Sequence, residues 1–271
     1  MFSGYSEKFR VLSPESHPGE QGPSGRDRGC RQLAAEAKGD YLLFLNSVER
    51  IEAGLIYSAL YRMKIHSLSL LSLFTDQKMK TFGEGQVVPL VSYILFSLLP
   101  LRLILLSRST HFAAASGQFM LFNARHYKAF QWHLESDEGS ADGTSIMKRI
   151  KELGFRAETL LANGYVTARM YSGFGPAMKS LSEILVSGFE RSAPALLVYL
   201  LLCGLGYLFI LPVLSMQLLG MALALIVCMR IMVSLMGNQP VWWNLLFHPV
   251  QMVVMVIALS NSIFRIVRKF V

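Results

Sequence analysis

Charged side chains are scarce in this chain and almost absent from its last third. Only 16% of the 271 residues are charged, against 52% hydrophobic residues, and the mean hydropathy is +0.40. Between Ala193 and Phe264 the only charged side chain is that of Arg230. A composition this apolar excludes an ordinary soluble domain for that stretch and indicates a membrane protein.

Cysteines are few, and no secretory leader is expected from the first residues. The chain has three cysteines, Cys30, Cys203 and Cys228, and two of them lie inside apolar stretches, which excludes a disulfide framework. The first 28 residues are polar and contain no apolar core of signal-peptide length. We therefore expect an integral membrane protein whose soluble part stays in the cytoplasm.

Basic runs interleaved with aromatic residues are absent as well, although the net charge is +8. Such runs are typical of nucleic-acid binding, so no nucleic acid is expected as a partner. Membrane lipid is the expected partner, because anionic lipid attracts basic residues at the ends of apolar stretches. The residues placed in this way include Arg102, Arg108, Arg191, Arg265, Arg268 and Lys269.

The part of the chain before the apolar third alternates between helix and strand signals. Residues 1–25 are predicted as a polar loop, and residues 26–190 as an α/β domain. The apolar run Tyr41–Leu45 has strand length and is predicted to be buried on both faces, as in a parallel sheet. Further strands are predicted at 68–74, 117–122, 156–161 and 165–169, and helices at 27–37, 51–63, 144–153 and 175–189, with a short helix from residue 124.

An apolar stretch at 88–107 interrupts this domain. Pro100 and Arg102 lie inside it, and either a full transmembrane span or a broken helix in the membrane interface fits the pattern. The interruption favours the interfacial helix.

Residues 191–271 are predicted as a membrane domain of about three helices. The candidate spans are 194–211, 214–228 and 246–263, the second being short and ending at Arg230. Trp242 and Trp243 lie where an aromatic belt is expected. Counted from a cytoplasmic soluble part, the spans place Arg230 inside, as the positive-inside rule prefers. They place Arg265, Arg268 and Lys269 outside, which the rule does not prefer. Either the count is wrong by one span or the last segment is re-entrant.

Four stretches carry a resemblance to a known family: residues 30–45 (CRQLAAEAKGDYLLFL), 117–122 (GQFMLF), 146–151 (IMKRIK) and 169–171 (RMY). Together they resemble family 2 glycosyltransferases, in particular the membrane-bound members that act on lipids, including hopanoid- and carotenoid-associated ones. The resemblance implies a partial GT-A-like (nucleotide-diphospho-sugar transferase) α/β domain followed by transmembrane helices. It also implies inverting sugar transfer from a nucleotide sugar to a lipid-like acceptor.

The metal motif of that family follows the strand that here is Tyr41–Leu45. The family uses Mg²⁺ or Mn²⁺ on the diphosphate, a hard cation that prefers oxygen ligands. This chain reads Asn46-Ser47-Val48-Glu49 at the motif. Asn46 and, if the loop slips by one residue, Glu49 are the candidate ligands. The alternative is a turn in which Glu49 and Arg50 begin a solvated helix.

The general base of the family stands in an acidic pair just before a helix. Here the pair becomes Asp142 and Gly143, so glycine replaces the expected base. Asp142 is the candidate base from a shifted position; a helix N-cap is its other interpretation.

The remaining site residues follow from the same resemblance. It assigns Arg26 and Arg169 to donor binding and Gln118 to the acceptor side. His133, which follows Trp132, is a further candidate for the acceptor side. Each of these positions also suits a structural hydrogen-bonding residue.

The family has an additional βαβ unit ahead of the point where this chain starts. Residues 1–25 are too short and too polar to supply it, so a partner chain that supplies it is one expectation. Two hypotheses follow: a divergent lipid glycosyltransferase, or a non-catalytic membrane interaction protein or decayed paralogue. Loss of a general base alone costs about 10²–10⁴ in rate, which favours the second.

Overall fold

A computed structural model describes residues 25–46, 48–98, 101–107, 109–133, 143–189, 192–202 and 215–270. They form two units: unit 1 comprises 1–48, 52–75 and 100–160, and unit 2 comprises 49–51, 76–99 and 161–271. The elements in chain order are α1 (Gly25–Glu36), β1 (Tyr41–Leu45), β2 (Val48–Ile51), α2 (Leu55–Ile65), β3 (Leu70–Phe74), β4 (Asp76–Gln77), α3 (Phe82–Leu98), α4 (Leu101–Leu106), β5 (Phe119–Asn123), α5 (Ala124–Phe130), α6 (Gly143–Glu152), β6 (Ala157–Leu161), β7 (Val166–Ala168), α7 (Phe174–Gly188), α8 (Ala193–Leu200), α9 (Met216–Met236), α10 (Val241–Leu246) and α11 (His248–Phe270).

Unit 1 is built on a four-stranded sheet in the order β1-β5-β3-β6. β5 runs antiparallel to both β1 and β3, so β1 and β3 point in the same direction. The apolar side chains of β3 and β5 are buried on both faces of the sheet, as a continuous apolar run predicts. The α/β class is confirmed.

The expectation that β1 is buried on both faces is wrong. β1 lies at one end of the strand order, and Leu42 is its only fully buried residue. Its neighbour β5 is antiparallel to it rather than parallel. The apolar run indicated a strand, but the number of neighbouring strands depends on contacts that the run itself does not specify.

Local signals fix the helix ends of unit 1. Asn123 caps α5, because its Oδ1 accepts hydrogen bonds from the backbone N–H groups of Arg125 and His126. Gly154, with φ +78°, follows the end of α6 in the left-handed conformation that favours glycine. The helix predicted at 144–153 is confirmed within one residue at each end.

Lys151 joins α6 to the segment that follows α4. Its buried Nζ donates to the carbonyl oxygens of Ser107, Ser109 and Phe112 at 3.0, 3.4 and 3.1 Å. Three acceptors match the three N–H bonds of an ammonium group, so the charge is buried with its hydrogen bonds made. Burial lowers the pKa of Lys151.

Three aromatic rings pack together at the end of α5 in unit 1. Trp132 is 4% exposed and stacks on Phe130 at 4.9 Å between ring centroids, and Phe155 meets both rings. This group packs the end of α5.

Unit 2 joins a small sheet to a group of helices. The sheet has the order β2-β7-β4, and β4 runs parallel to β7. The core forms between α3, α7, α8, α9 and α11, where long apolar side chains at helical spacing meet; it includes Val87, Leu90, Leu181, Leu196, Val233, Val254, Met255 and Leu259. α3 is described as far as Leu98 and α4 from Leu101, so the helix break predicted near Pro100 lies outside the described residues.

Two helices of unit 2, α9 and α11, are long and apolar enough to cross a membrane. The predicted end of the second span at Arg230 is wrong, because α9 continues to Met236. Arg230 is instead 1% exposed inside the helix, with its guanidinium 4.4 Å from the centroid of the Tyr93 ring and its Nε donating to His248 Nδ1 at 2.7 Å. The first predicted span lies partly outside the described residues.

A row of hydrogen-bonded polar side chains runs between these apolar helices. Asn244 Nδ2 donates to Ser234 Oγ and to Gln239 Oε1. Gln251 Nε2 donates to the carbonyl oxygen of Gly85, which also accepts a bond from Trp243 Nε1 at 3.2 Å. These bonds give partners to amide N–H groups that are costly to bury alone, and they join α3, α9, α10 and α11.

Candidate functional site

The structure brings two predicted site residues together at the end of β1. The backbone N–H of Asn46 donates to the carbonyl oxygen of Gln118 at 2.9 Å, which extends the β1–β5 ladder by one residue. Gln118 is buried, and its Oε1 accepts a hydrogen bond from Thr75 Oγ1. The amide oxygen of Gln118 is therefore engaged inside unit 1.

The end of β1 does not fit the Mg²⁺ or Mn²⁺ of the family. Asn46 offers one neutral side-chain oxygen, whereas such cations bind through carboxylates and phosphate oxygens. Glu49 lies in β2, and its side chain lies outside the described part of the chain. In the described residues no group of three or more histidine, cysteine, aspartate or glutamate side chains is placed to hold a metal ion.

His133 lies in an aromatic cluster. Its ring is 5% exposed and stands 5.1 Å from that of Phe44 and 5.9 Å from that of Phe122. Its Nδ1 is hydrogen bonded to Tyr127 Oη at 2.7 Å. The imidazole therefore serves the packing of β1, β5 and α5.

Gly143 is the first residue of α6, and it packs against the backbone of another segment. A Cβ built on Gly143 would stand 2.7 Å from the carbonyl oxygen of Ala115 and 2.9 Å from the backbone nitrogen of Gly117. Real Cβ atoms do not approach backbone atoms this closely, so no side chain fits here unless the backbone moves. Asp142, the candidate base, lies outside the described residues.

The two donor-binding candidates lie in helical and loop positions. Arg26 is in the first turn of α1, and its side chain lies outside the described part. Arg169 follows β7, and its Nη2 donates to Glu84 Oε1 at 3.1 Å. The side chain of Arg169 is 29% exposed, whereas that of Glu84 is 1% exposed.

Glu84 is the centre of this polar cluster in unit 2. Its Oε2 accepts from the backbone N–H of Lys80 at 2.7 Å and of Thr81 at 3.4 Å, and its Oε1 accepts from the N–H of Gly173 at 2.9 Å. Burial alone would raise the pKa of Glu84, but these bonds and the Arg169 guanidinium lower it to about 2. The carboxylate is ionised and fully engaged.

Sequence reasoning did not find Glu84, although a local signal exists. Thr81 and Glu84 form a capping box at the start of α3. Thr81 Oγ1 accepts from the N–H of Glu84 at 3.3 Å, and Glu84 Oε2 accepts from the N–H of Thr81 at 3.4 Å. The pattern Thr-x-x-Glu before an apolar run predicts this box. The pattern does not predict that Arg169 and the backbone N–H of Gly173 also bond to the Glu84 carboxylate.

No protein-family model matches the chain, and no curated protein or solved structure matches it. The site is therefore interpreted from its own contacts. The side chains of Gln118, His133 and Arg169 are engaged with neighbouring residues in their own units, and Gly143 is held against backbone. The arrangement stabilises the two units, and it offers no described carboxylate positioned as a general base.

Proposed function

We propose that the chain is a membrane-anchored, non-catalytic interaction protein built on a glycosyltransferase-like α/β frame. The packing of Gly143 carries this proposal. A transferase of the family needs a carboxylate at that place to deprotonate the acceptor hydroxyl. The backbone of Ala115 and Gly117 occupies the space that its side chain would need.

The other site positions support the same conclusion. Asn46 stands where a metal-binding carboxylate is expected, and a neutral amide oxygen is a poor ligand for Mg²⁺. Arg169 is paired with the buried Glu84, so turning it towards a diphosphate would leave a buried carboxylate without its cation. That change is costly in free energy.

The apolar helices support the membrane part of the proposal. On α9, large apolar side chains remain exposed, with Leu225 at 63% and Met232 at 59%. An apolar surface of this extent is unfavourable in water and favourable in hydrocarbon. We infer that α9 and α11 hold the protein in the bilayer as an integral membrane protein.

Nucleotide-sugar transfer to a lipid-like acceptor is the second candidate. The contact between Asn46 and Gln118 at the end of β1 favours it, because the resemblance places the metal and the acceptor side there. In open α/β folds, ligands bind beyond the ends of such strands.

Calorimetry separates the two candidates. The detergent-purified chain is titrated with UDP and with GDP, each with and without Mn²⁺. We expect no binding heat, because the metal position lacks a carboxylate. Metal-dependent binding at micromolar concentration, weakened by Asn46→Ala but not by Asn123→Ala, would overturn the non-catalytic proposal and support a transferase.

A further inference from the structure

Aromatic side chains from three segments of unit 2 meet at the start of α3. The ring centroid of Phe82 lies 5.6 Å from that of Trp243 and 5.3 Å from that of Phe247. A Cβ built on Gly83 would stand 2.7 Å from the Cβ of Phe174, the first residue of α7. The starts of α3 and α7 and the end of α10 are therefore packed together, although they are far apart in the sequence.

This group leaves large apolar side chains exposed. On α10, Trp242 is 85% and Leu246 is 75% exposed, and the two residues are one turn apart on the same face. Phe82 and Phe174 are exposed as well. We call these four side chains the apolar collar. Apolar side chains that are exposed side by side mark an interaction surface.

The opposite side of α10 is bonded within unit 2, which fixes the direction of the collar. Trp243 Nε1 donates to the carbonyl oxygen of Gly85 at 3.2 Å. The buried Asn244 donates to Ser234 Oγ at 2.9 Å and to Gln239 Oε1 at 3.1 Å. The exposed face of α10 therefore stays turned away from the core.

α10 lies where the two candidate membrane spans meet. α9 ends at Met236 and α11 begins at His248, and each has a stretch of 21 residues that is apolar enough to cross a membrane. Such a stretch is about 31 Å long, which matches a hydrocarbon core of about 30 Å. Residues that join two spans lie at a membrane surface, and tryptophan is enriched at that level.

We propose that the apolar collar binds the headgroup boundary of a bilayer that contains anionic lipid. The proposal depends on the membrane anchoring by α9 and α11 proposed above. Charge supports lipid as the occupant. Lys80 is exposed two residues before Phe82, whereas the carboxylate of Glu84 is buried and paired with Arg169. Residues 231–264 carry no charged side chain. A positive charge beside an apolar surface attracts anionic headgroups.

The collar gives two further helices a defined depth. α3 has 17 residues and α7 has 15, so both are shorter than α9 and α11. Their first residues, Phe82 and Phe174, belong to the collar. Both helices therefore begin at the membrane surface, at the level of α10.

Tryptophan quenching tests the collar in the full-length chain reconstituted into phospholipid vesicles. Trp132→Phe/Trp243→Phe leaves Trp242 as the only tryptophan, and Trp132→Phe/Trp242→Phe leaves the half-buried Trp243 as the matched control. We expect phospholipids brominated near the headgroup to quench Trp242 at least twofold more strongly than phospholipids brominated near the chain ends. The same headgroup-level lipids should quench Trp243 less.

Two results would overturn the collar. One is quenching of Trp242 by iodide in the water without quenching by either lipid, and the other is stronger quenching from the chain ends. A carbonate wash of the same vesicles separates the two proposals. A chain that resists extraction while Trp242 gives either result keeps its anchor and loses the collar. Extraction of the wild type overturns the anchor and the collar together.

Lys80→Gln tests the preference for anionic lipid. In mixed vesicles, brominated phosphatidylserine should quench Trp242 more strongly than brominated phosphatidylcholine at the same mole fraction. The preference should fall by up to about fivefold in Lys80→Gln. Lys64→Gln is the control, because Lys64 is an exposed lysine of α2 in unit 1. Equal quenching by the two lipids in the wild type would overturn the choice of anionic lipid.

Discussion

At the scale of single residues, the position of Gly143 leaves no room for a side chain. Its missing side chain lets the start of α6 approach the backbone of Ala115 and Gly117. The sequence predicted a helix here and a glycine in place of the base. It did not predict the close approach, because the backbone that meets Gly143 comes from a segment nearly thirty residues earlier.

Gly143→Ala should destabilise the protein by about 2 kcal/mol, the typical cost of overpacking a filled site. Gly29→Ala is the matched control, since Gly29 lies in α1 with open space around its Cβ position. That change should stabilise the helix by about 0.5–1 kcal/mol. Chemical unfolding of both variants measures the difference. Equal stabilities would show that the backbone at Ala115 yields freely.

Glu84 predicts how stability depends on acid. Its pKa is about 2 in the folded protein, against an ordinary value of 4.5. The lowered pKa means that ionised Glu84 stabilises the fold above pH 4.5, and that this contribution is lost as the pH falls from 4.5 towards 2. The thermal midpoint of the wild type should fall across that window.

The Glu84→Gln variant isolates this effect. At neutral pH it should be less stable by about 3 kcal/mol, since Arg169 loses its buried partner. Its midpoint should also fall less steeply between pH 4.5 and 2 than that of the wild type. Parallel acid profiles in the two proteins would assign the acid sensitivity to other carboxylates.

At the scale of elements, Lys151 explains how the segment after α4 is held against α6. Lys151→Met keeps the apolar stem but removes the ammonium donor from three carbonyl oxygens, of which, among the described residues, only that of Ser109 keeps another bond, from the Phe112 N–H. We expect a loss of about 3 kcal/mol. Arg149→Met, on the exposed side of α6, is the control and should change stability by less than about 0.5 kcal/mol. Urea unfolding compares the two. Similar losses in both variants would contradict an anchoring role.

Helices and strands of this chain follow from local signals more fully than their pairing does. The strand Tyr41–Leu45 and the helix before it are confirmed within one or two residues, because an apolar run and the residues that end a helix are local features. The place of β1 at the end of the sheet is not local, and the prediction of burial on both faces failed there. The continuation of α9 past Arg230 also depends on residues distant in the sequence. The Arg230 guanidinium lies over the ring of Tyr93 and donates a hydrogen bond to His248.

For the whole molecule, membrane integration is the property most open to direct measurement. We expect the chain to stay with membranes through an alkaline carbonate wash, as an integral protein does. Leu225→Lys places a charge on the exposed side of α9 and should cost about 3 kcal/mol of insertion free energy, so the extracted fraction should rise. Leu225→Ala is the control. Complete extraction of the wild type would exclude the membrane proposal.

The three tryptophans give each unit its own optical reporter. Trp132 is buried in unit 1 and should emit at short wavelength, whereas Trp242 and Trp243 belong to unit 2. Trp242 is 85% exposed, so a water-soluble quencher or a brominated lipid should reach it first. The Trp242→Phe/Trp243→Phe variant would therefore report unfolding of unit 1 alone, and Trp132→Phe that of unit 2. The order in which the two units melt is accessible without any added label.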